Sequence, residues 1–290
     1  MCIASTSARA QDEVAQEEIE PDEVGSAAYG PGGYAWAEAA VFVEQNRGPR
    51  VMAISPLIGA DYWVKRLVEV RARFGWSGVR LSNDDVMGTL DDRRWRWSNL
   101  LVGASYKREI PDWYPWVFEL SAGIDLALPT ARAADEPRVL EVDDAQLLRQ
   151  ASTMRGVRDV WLWSPDTLGV VVPLTAQLVH DYAHVKLALD IATLLPFDRS
   201  ADVAFQLLGE AGGWVQHKLL LALALSLAAS PTDVYGDVVV ASGAFRSILK
   251  LDAIRFHLDV WLNLNGFRTF TIAGSRWGIV AGIGAALPGT

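Results

Sequence analysis

Trp116-Val117-Phe118-Glu119-Leu120-Ser121-Ala122-Gly123-Ile124-Asp125-Leu126-Ala127-Leu128 is the stretch that decides how this chain folds. Its even positions are Trp, Phe, Leu, Ala, Ile, Leu and Leu, while its odd positions include Glu119, Ser121 and Asp125. A strand sends successive side chains to opposite faces, so the segment has one oily face and one polar face. A helix would scatter Glu119 and Asp125 over different sides and spoil both faces.

The same alternation recurs along the chain. Ile254, Phe256, Leu258, Val260, Leu262 and Leu264 interleave with Arg255, His257, Asp259, Trp261, Asn263 and Asn265. Val68, Val70, Ala72, Phe74 and Trp76 interleave with Glu69, Arg71, Arg73 and Gly75. Val185, Leu187, Leu189, Ile191 and Leu195 interleave with Lys186 and Asp190, and Val203, Phe205 and Leu207 with Asp202, Gln206 and Glu210.

Soluble sandwiches alternate too, but two features point to a bilayer instead. These segments run for about 10 to 14 residues, against a usual strand mode of about five or six, and a tilted strand of roughly 9–11 residues spans a bilayer. The polar face carries charges at mid-strand, whereas the apolar face is nearly free of them. Charge facing lipid near the midplane costs about 2–4 kcal/mol, while charge facing a lumen can be hydrated or paired. An open sheet edge in hydrocarbon leaves backbone groups unpaired, so the strands must close. The fold class read from the sequence is therefore all-β, a closed antiparallel transmembrane β-barrel of about twelve strands.

The expected strands lie near 34–45, 51–60, 62–80, 95–108, 115–128, 167–180, 183–197, 201–213, 214–228, 237–250, 252–265 and 276–287. Pro56 and Pro173 fall inside them, which is awkward for ladder pairing. Connections alternate in length. Short ones are expected at Asp61, from Lys107 to Tyr114, and at Asp181, Gly213 and Leu251-Asp252. Long polar ones run from Leu81 to Arg94, Pro129 to Asp166, Ser230 to Gly236 and Gly266 to Ser275. Short turns on one side and long loops on the other match periplasmic and extracellular ends and put both termini on the periplasmic side. Tyr62, Trp63, Tyr106, Trp113, Tyr114, Trp116, Tyr182 and Trp214 cluster at the short turns. Phe42, Trp76, Trp95, Trp97, Trp163, Phe197, Phe267 and Trp277 fall near the opposite ends. Two aromatic belts are the expectation for a membrane barrel.

Composition agrees with this. Of 290 residues, 21% are charged, too many for an all-apolar helical bundle, and 12 are tryptophan. No segment offers the roughly 18 uncharged apolar residues that a membrane helix needs. The net charge of −9 is concentrated between Gln11 and Val24, which hold seven acids and no base. Without those seven, 28 acids face 26 bases, so no basic surface argues for nucleic acid. Ala8-Arg9-Ala10 before Gln11 fits a signal-peptidase site. Three regions follow: residues 1–10 as the remnant of a signal peptide, 11–32 as an acidic disordered tail, and 33–290 as the barrel. The single cysteine, Cys2, falls in the first.

Over roughly residues 33–287 the chain resembles bacterial outer-membrane barrel proteins of the broad porin-like class. The resemblance rests on the alternation, loop parity and aromatic belts above. It implies an outer-membrane location, lipid and lipopolysaccharide as surroundings, assembly by the barrel-assembly machinery, and no cofactor. Such barrels commonly end on an aromatic residue, whereas this chain ends Ala286-Leu287-Pro288-Gly289-Thr290, a departure that bears on the assembly signal more than on the architecture.

The lumen-lining candidates are Glu69, Arg71, Arg73, Glu119, Asp125, Lys186, Asp190, Glu210, Lys218, Arg246, Arg255, His257 and Asp259. Glu38, Glu44, Asp202, Lys107 and Lys250 share their parity. These charges either form ion pairs that stiffen a filled barrel or set the solute preference of a watery passage. Arg71 and Arg73 have the spacing to hold a carboxylate or phosphate, or to pair with acids on neighbouring strands. His257 and Asp259 share a face, which allows a metal site or an acid–base pair. Ser226 and Ser242 have lumen parity, so a barrel hydrolase is a further alternative. The Pro129–Asp166 loop can fold into the mouth or reach outward, and Asp143-Asp144 starts a helix within it. The acidic loop Asn83–Asp92 is either solvated or binds divalent ions bridging lipopolysaccharide. No phosphate loop, nucleotide fingerprint or zinc spacing occurs. The expected function is passive passage of small hydrophilic solutes through a non-enzymatic barrel. The alternative is a non-conducting barrel serving structure, adhesion or partner binding through its external loops.

Overall fold

The structure is a computed structural model describing residues 32–44, 50–64, 67–83, 90–110, 113, 115–132, 152, 155, 158–198, 200–230, 239–264 and 277–287. The signal-peptide remnant, the acidic tail, the 143–150 helix start, residues 84–89 of the acidic loop, and Tyr114 and Phe267 lie outside the described residues.

Among the described residues, thirteen strand segments form one antiparallel sheet. They are β1 (Gly32–Glu44), β2 (Arg50–Val64), β3 (Val68–Asn83), β4 (Leu90–Trp97), β5 (Leu100–Ile110), β6 (Val117–Leu128) and β7 (Thr167–His180). The rest are β8 (Ala183–Pro196), β9 (Asp202–Val215), β10 (Leu219–Ala229), β11 (Val239–Leu251), β12 (Ile254–Asn263) and β13 (Trp277–Leu287). β4 pairs with the far half of β3 and β5 with its near half, so the two are one wall strand broken at Ser98-Asn99. Pairing of β1 with β13, from Gly33↔Leu287 to Phe42↔Gly278, closes the sheet. The result is a closed twelve-stranded barrel, and closure satisfies the backbone groups that an edge would leave bare in lipid.

The alternation is realised in three dimensions. Leu120, Ile124 and Leu126 point outward, Ile124 with 56% of its surface exposed, while Glu119, at 2%, faces the interior. Ile254, Phe256, Leu258 and Val260 form an equivalent outward row on β12, with Asp259 and Trp261 buried behind them. An exposed apolar belt around a closed wall is unfavourable in water, and lipid is the solvent that suits it.

The prolines sit where the ladder is interrupted. β2 and β3 pair at Ile54↔Gly78 and resume at Leu57↔Gly75, skipping Pro56. β6 and β7 skip Pro173 between Ala122↔Leu174 and Asp125↔Val171. Each proline thus places its missing N–H in a gap of the ladder.

Two short turns are displaced from their expected sites. β2 continues through Asp61, Tyr62 and Trp63 to Val64, still paired with β1 and β3, because the inward row Gly59–Asp61–Trp63 keeps its alternation. β9 runs past Gly213 to Val215, and the turn is Gln216-His217-Lys218. Gln216 and His217 adopt left-handed φ of 51° and 55°, so the hairpin turns without glycine. His217 is therefore a turn residue.

The belts also need correction. Tyr106, Trp113 and Tyr182 are exposed at the short-turn end, and Trp95, Trp97, Phe197 and Trp277 at the loop end. Trp63 and Trp214 instead turn inward, where Lys107 and Lys250 lie 5.6 and 4.1 Å from their ring centroids. Trp163 is only 1% exposed and belongs to the interior.

Candidate functional site: the lumen and its inward segment

The interior is organised around a segment of the long β6–β7 connection that folds into the barrel. Val160–Trp163 forms a 3-10 turn whose four residues are all buried. They pack among Leu57, Leu101, Ala127, Val171, Leu194, Trp261 and Val280 from the surrounding wall. The wall makes room by glycine: a Cβ on Gly75 would stand 3.1 Å from the Trp163 ring, and one on Gly169 3.1 Å from Trp161 Cβ.

Asn99, at the break between β4 and β5, anchors this segment. Its Nδ2 donates to the carbonyls of Ser164 (2.7 Å), Trp161 (2.8 Å) and Thr167 (3.3 Å). Its Oδ1 accepts from Ala131 N–H at 3.0 Å, and its own N–H donates to Leu162 O at 2.7 Å. The break has a use, since a continuous ladder would leave Asn99 no free backbone donor. Ser98 adds a bond from its Oγ to the Asn99 carbonyl and accepts one from Gly75 N–H. The loop's ends are joined at the rim by Asp166 N–H to Ala131 O and by Arg132 to Asp166.

From this anchor the segment reaches across the lumen. Asp159 takes a left-handed φ of 54°, and its N–H donates to Gln206 Oε1 of β9 at 2.9 Å. Arg155 pairs with Glu38 of β1 and donates to the Ser55 carbonyl of β2. Glu38 also meets His257 Nε2 of β12 at 2.9 Å. Arg158 stands over the Trp261 ring, 6.0 Å from its centroid. The segment thus engages opposite walls and divides the interior.

The expected lumen residues take the following places. Glu69, Arg71 and Arg73 share the inner face of β3. Arg71 Nε bonds Asp125 Oδ1 at 2.8 Å, its NH2 donates to Ser105, and Glu69 lies 3.9 Å away. Arg73 approaches Asp159 at 4.0 Å and the Trp36 ring at 5.8 Å. Glu119 receives Lys107 Nζ at 2.6 Å and the Gln177 amide. Arg246 joins Asp259 (2.8 Å) to Glu210 (2.5 Å), and His184 lies 3.2 Å from Glu210. Arg255 faces the Tyr34 ring at 5.4 Å, and Lys186 and Asp190 line a cavity with Asp125. Lys218 is the exception: it lies exposed in the β9–β10 turn, because the turn forms later in sequence than Gly213 implied.

His257 is partnered by Glu38 rather than by Asp259, which Arg246 occupies. Ser226 and Ser242 face each other across β10 and β11, whereas His257 pairs with Ile248. Six residues of strand separate Ser242 from that level, about 20 Å, so neither serine is placed as a nucleophile beside His257.

Residues that sequence reasoning does not reach include Arg155, Arg158, Asp159 and Asn99, all tied to the inward segment, and Asp61, which accepts from Trp36 Nε1 at 3.0 Å. The one signal for them is the apolar run Val160-Trp161-Leu162-Trp163 inside a connection expected to be polar. Cavities lie among the described residues. One of about 280 Å³ is lined by Tyr34, Trp36, Glu38, Asp61, Arg155, Arg255 and His257 among others. A smaller one of about 100 Å³ lies toward β7–β9. Arg73, Arg158 and Asp159 border both.

No protein-family model matches the chain, and neither does any curated protein. Solved structures do match. An outer-membrane channel from Pseudomonas putida F1 superposes with a TM-score of 0.58 at 10% identity, over 93% of this chain and 100% of that one. The fold is that of a bacterial outer-membrane barrel. The NanC porin (TM-score 0.47, 10% identity, 86% of this chain, 98% of that one) is also similar. So is the transport unit of the autotransporter AIDA-I from Escherichia coli (0.47, 6%, 91% and 92%). At such identities the likeness concerns the wall, and what an outer-membrane barrel does is decided by its interior.

Proposed function

We propose that this outer-membrane barrel is a passive channel for small hydrophilic solutes, narrowed by the inward residues Arg155 and Arg158 to Asp166. The observation that carries this reading is the charged interior around that segment. Two cavities lined by ionised side chains meet at Arg73, Arg158 and Asp159. A barrel needed only as a scaffold gains little from so many interior charges, because apolar packing of equal volume is often as stable or more so. The fold shared with an outer-membrane channel supports the same reading. A loop crossing the lumen implies small unitary conductance and exclusion of bulky solutes.

The test is planar-bilayer recording of refolded protein whose folded state is verified by heat-modifiable gel migration. Stepwise currents are expected. Folded, inserted protein that gives no steps overturns the channel reading and favours a barrel acting through its outer surface.

A further inference from the structure

The interior cations are not equally engaged. Arg71 is bonded to Asp125 at 2.8 Å, Arg246 to Asp259 at 2.8 Å, Lys107 to Glu119 at 2.6 Å, and Arg155 to Glu38. Two cations differ. Arg158 and Lys186 have no carboxylate within 4.0 Å among the described residues, although both line the smaller cavity. Arg73, on the same cavity, touches Asp159 only at 4.0 Å and leaves its Nε without a hydrogen-bond partner. The cavity wall holds four cations (Arg71, Arg73, Arg158, Lys186) against three carboxylates (Asp125, Asp159, Asp190), and Glu210, across the ladder from Lys186, is engaged by Arg246 and His184. A surplus positive charge away from bulk water is unfavourable unless an anion neutralises it.

We propose that Arg158 and Lys186 form a binding site for a small monocarboxylate within the lumen. The geometry suits that class. Arg158 offers a planar fork that matches a carboxylate with two parallel hydrogen bonds, and Lys186 supplies a point charge from β8 on the same cavity. A volume of about 100 Å³ admits an anion of a few heavy atoms. Asp190 on the same wall opposes a second negative charge, so a monoanion is accepted ahead of phosphate or a dicarboxylate. Arg158 also borders the larger cavity, so an anion held there sits where the two compartments join. The site deepens the channel reading by naming a solute class, but occupancy is measurable without conduction.

The experiment titrates ¹³C-labelled acetate into the detergent-solubilised full chain and follows exchange broadening of the acetate resonance, with inorganic phosphate as competitor. Binding in the millimolar range is expected from two charge-assisted contacts. Arg158→Gln and Lys186→Gln should each weaken it about tenfold or more. Asp190→Asn should tighten acetate binding and reduce the preference over phosphate. Arg158→Lys should restore part of the loss, which a purely structural role for Arg158 would not produce. All variants are checked for folding by heat-modifiable migration. Wild-type protein that conducts but leaves the acetate signal unchanged overturns the site and spares the channel. Equal binding by wild type, Arg158→Gln and Lys186→Gln also overturns it, and so does phosphate displacing acetate at equal concentration.

Discussion

Replacing Asn99 tests whether the inward segment is held by one side chain. The Asn99 carboxamide is fully buried and makes three well-formed bonds, at 2.7, 2.8 and 3.0 Å, plus a longer one at 3.3 Å. Each good bond contributes about 1 kcal/mol net, and the groups left behind are buried and unpaired. Asn99→Ala should therefore weaken docking of the segment by about 3 kcal/mol. That raises the released population roughly 100-fold, since about 1.4 kcal/mol is tenfold. The barrel ladder is untouched, and Asn99 N–H can still bond Leu162 O, so the wall should stay folded. Limited trypsinolysis at Arg155 and Arg158 reads the released state, because cleavage follows the open population when reclosing is fast. Asn99→Asp is the sharper probe. It keeps the volume and the acceptor for Ala131 N–H but replaces both donors with charge facing three carbonyls, so its effect should equal or exceed that of alanine. In bilayers, both variants should conduct more than wild type. Wild-type cleavage rates and currents in both variants would refute the anchoring role.

Two further outcomes follow from the same structure. Arg155→Met leaves Glu38 partly buried without its closest cation, and breaking such a pair costs about 3–5 kcal/mol. The double variant Glu38→Gln/Arg155→Met should be closer to wild type than the single one in denaturant titrations of the lipid-refolded protein, and a double variant worse than both singles contradicts the pairing. Leu223 is 68% exposed at the middle of the outer face of β10. Leu223→Arg should lower folding stability in vesicles by about 2–4 kcal/mol, and a neutral effect would place that face away from lipid.

Much of the wall is legible in the sequence, because its causes are local. Period-two alternation around Glu119 and Asp125, strand lengths that span a bilayer, and short turns opposite long loops each depend only on near neighbours in sequence. Hydrocarbon outside the wall punishes any error in that alternation, so the outward rows of β6 and β12 are written almost without exception. Closure also follows from the sequence, since lipid tolerates no bare edge.

The interior is another matter. Which acids Arg71 meets, which cations gather on Glu38, and whether the lumen is open or crossed depend on register and on which strands face each other. Pairing across 54 or 219 residues leaves no local trace. Trp163 reads as a belt residue because indoles suit both an interface and a packed core, and only the docking of its loop onto Asn99 separates the two. Lys218 falls in a turn because Gln216 and His217 bear left-handed backbone without glycine. The sequence alone therefore determined a membrane-spanning barrel with a charged inner face, since solvent acts on every residue of a strand separately. The tertiary structure decided how that inner face is paired and where it narrows, since those depend on residues that meet only once the sheet has closed.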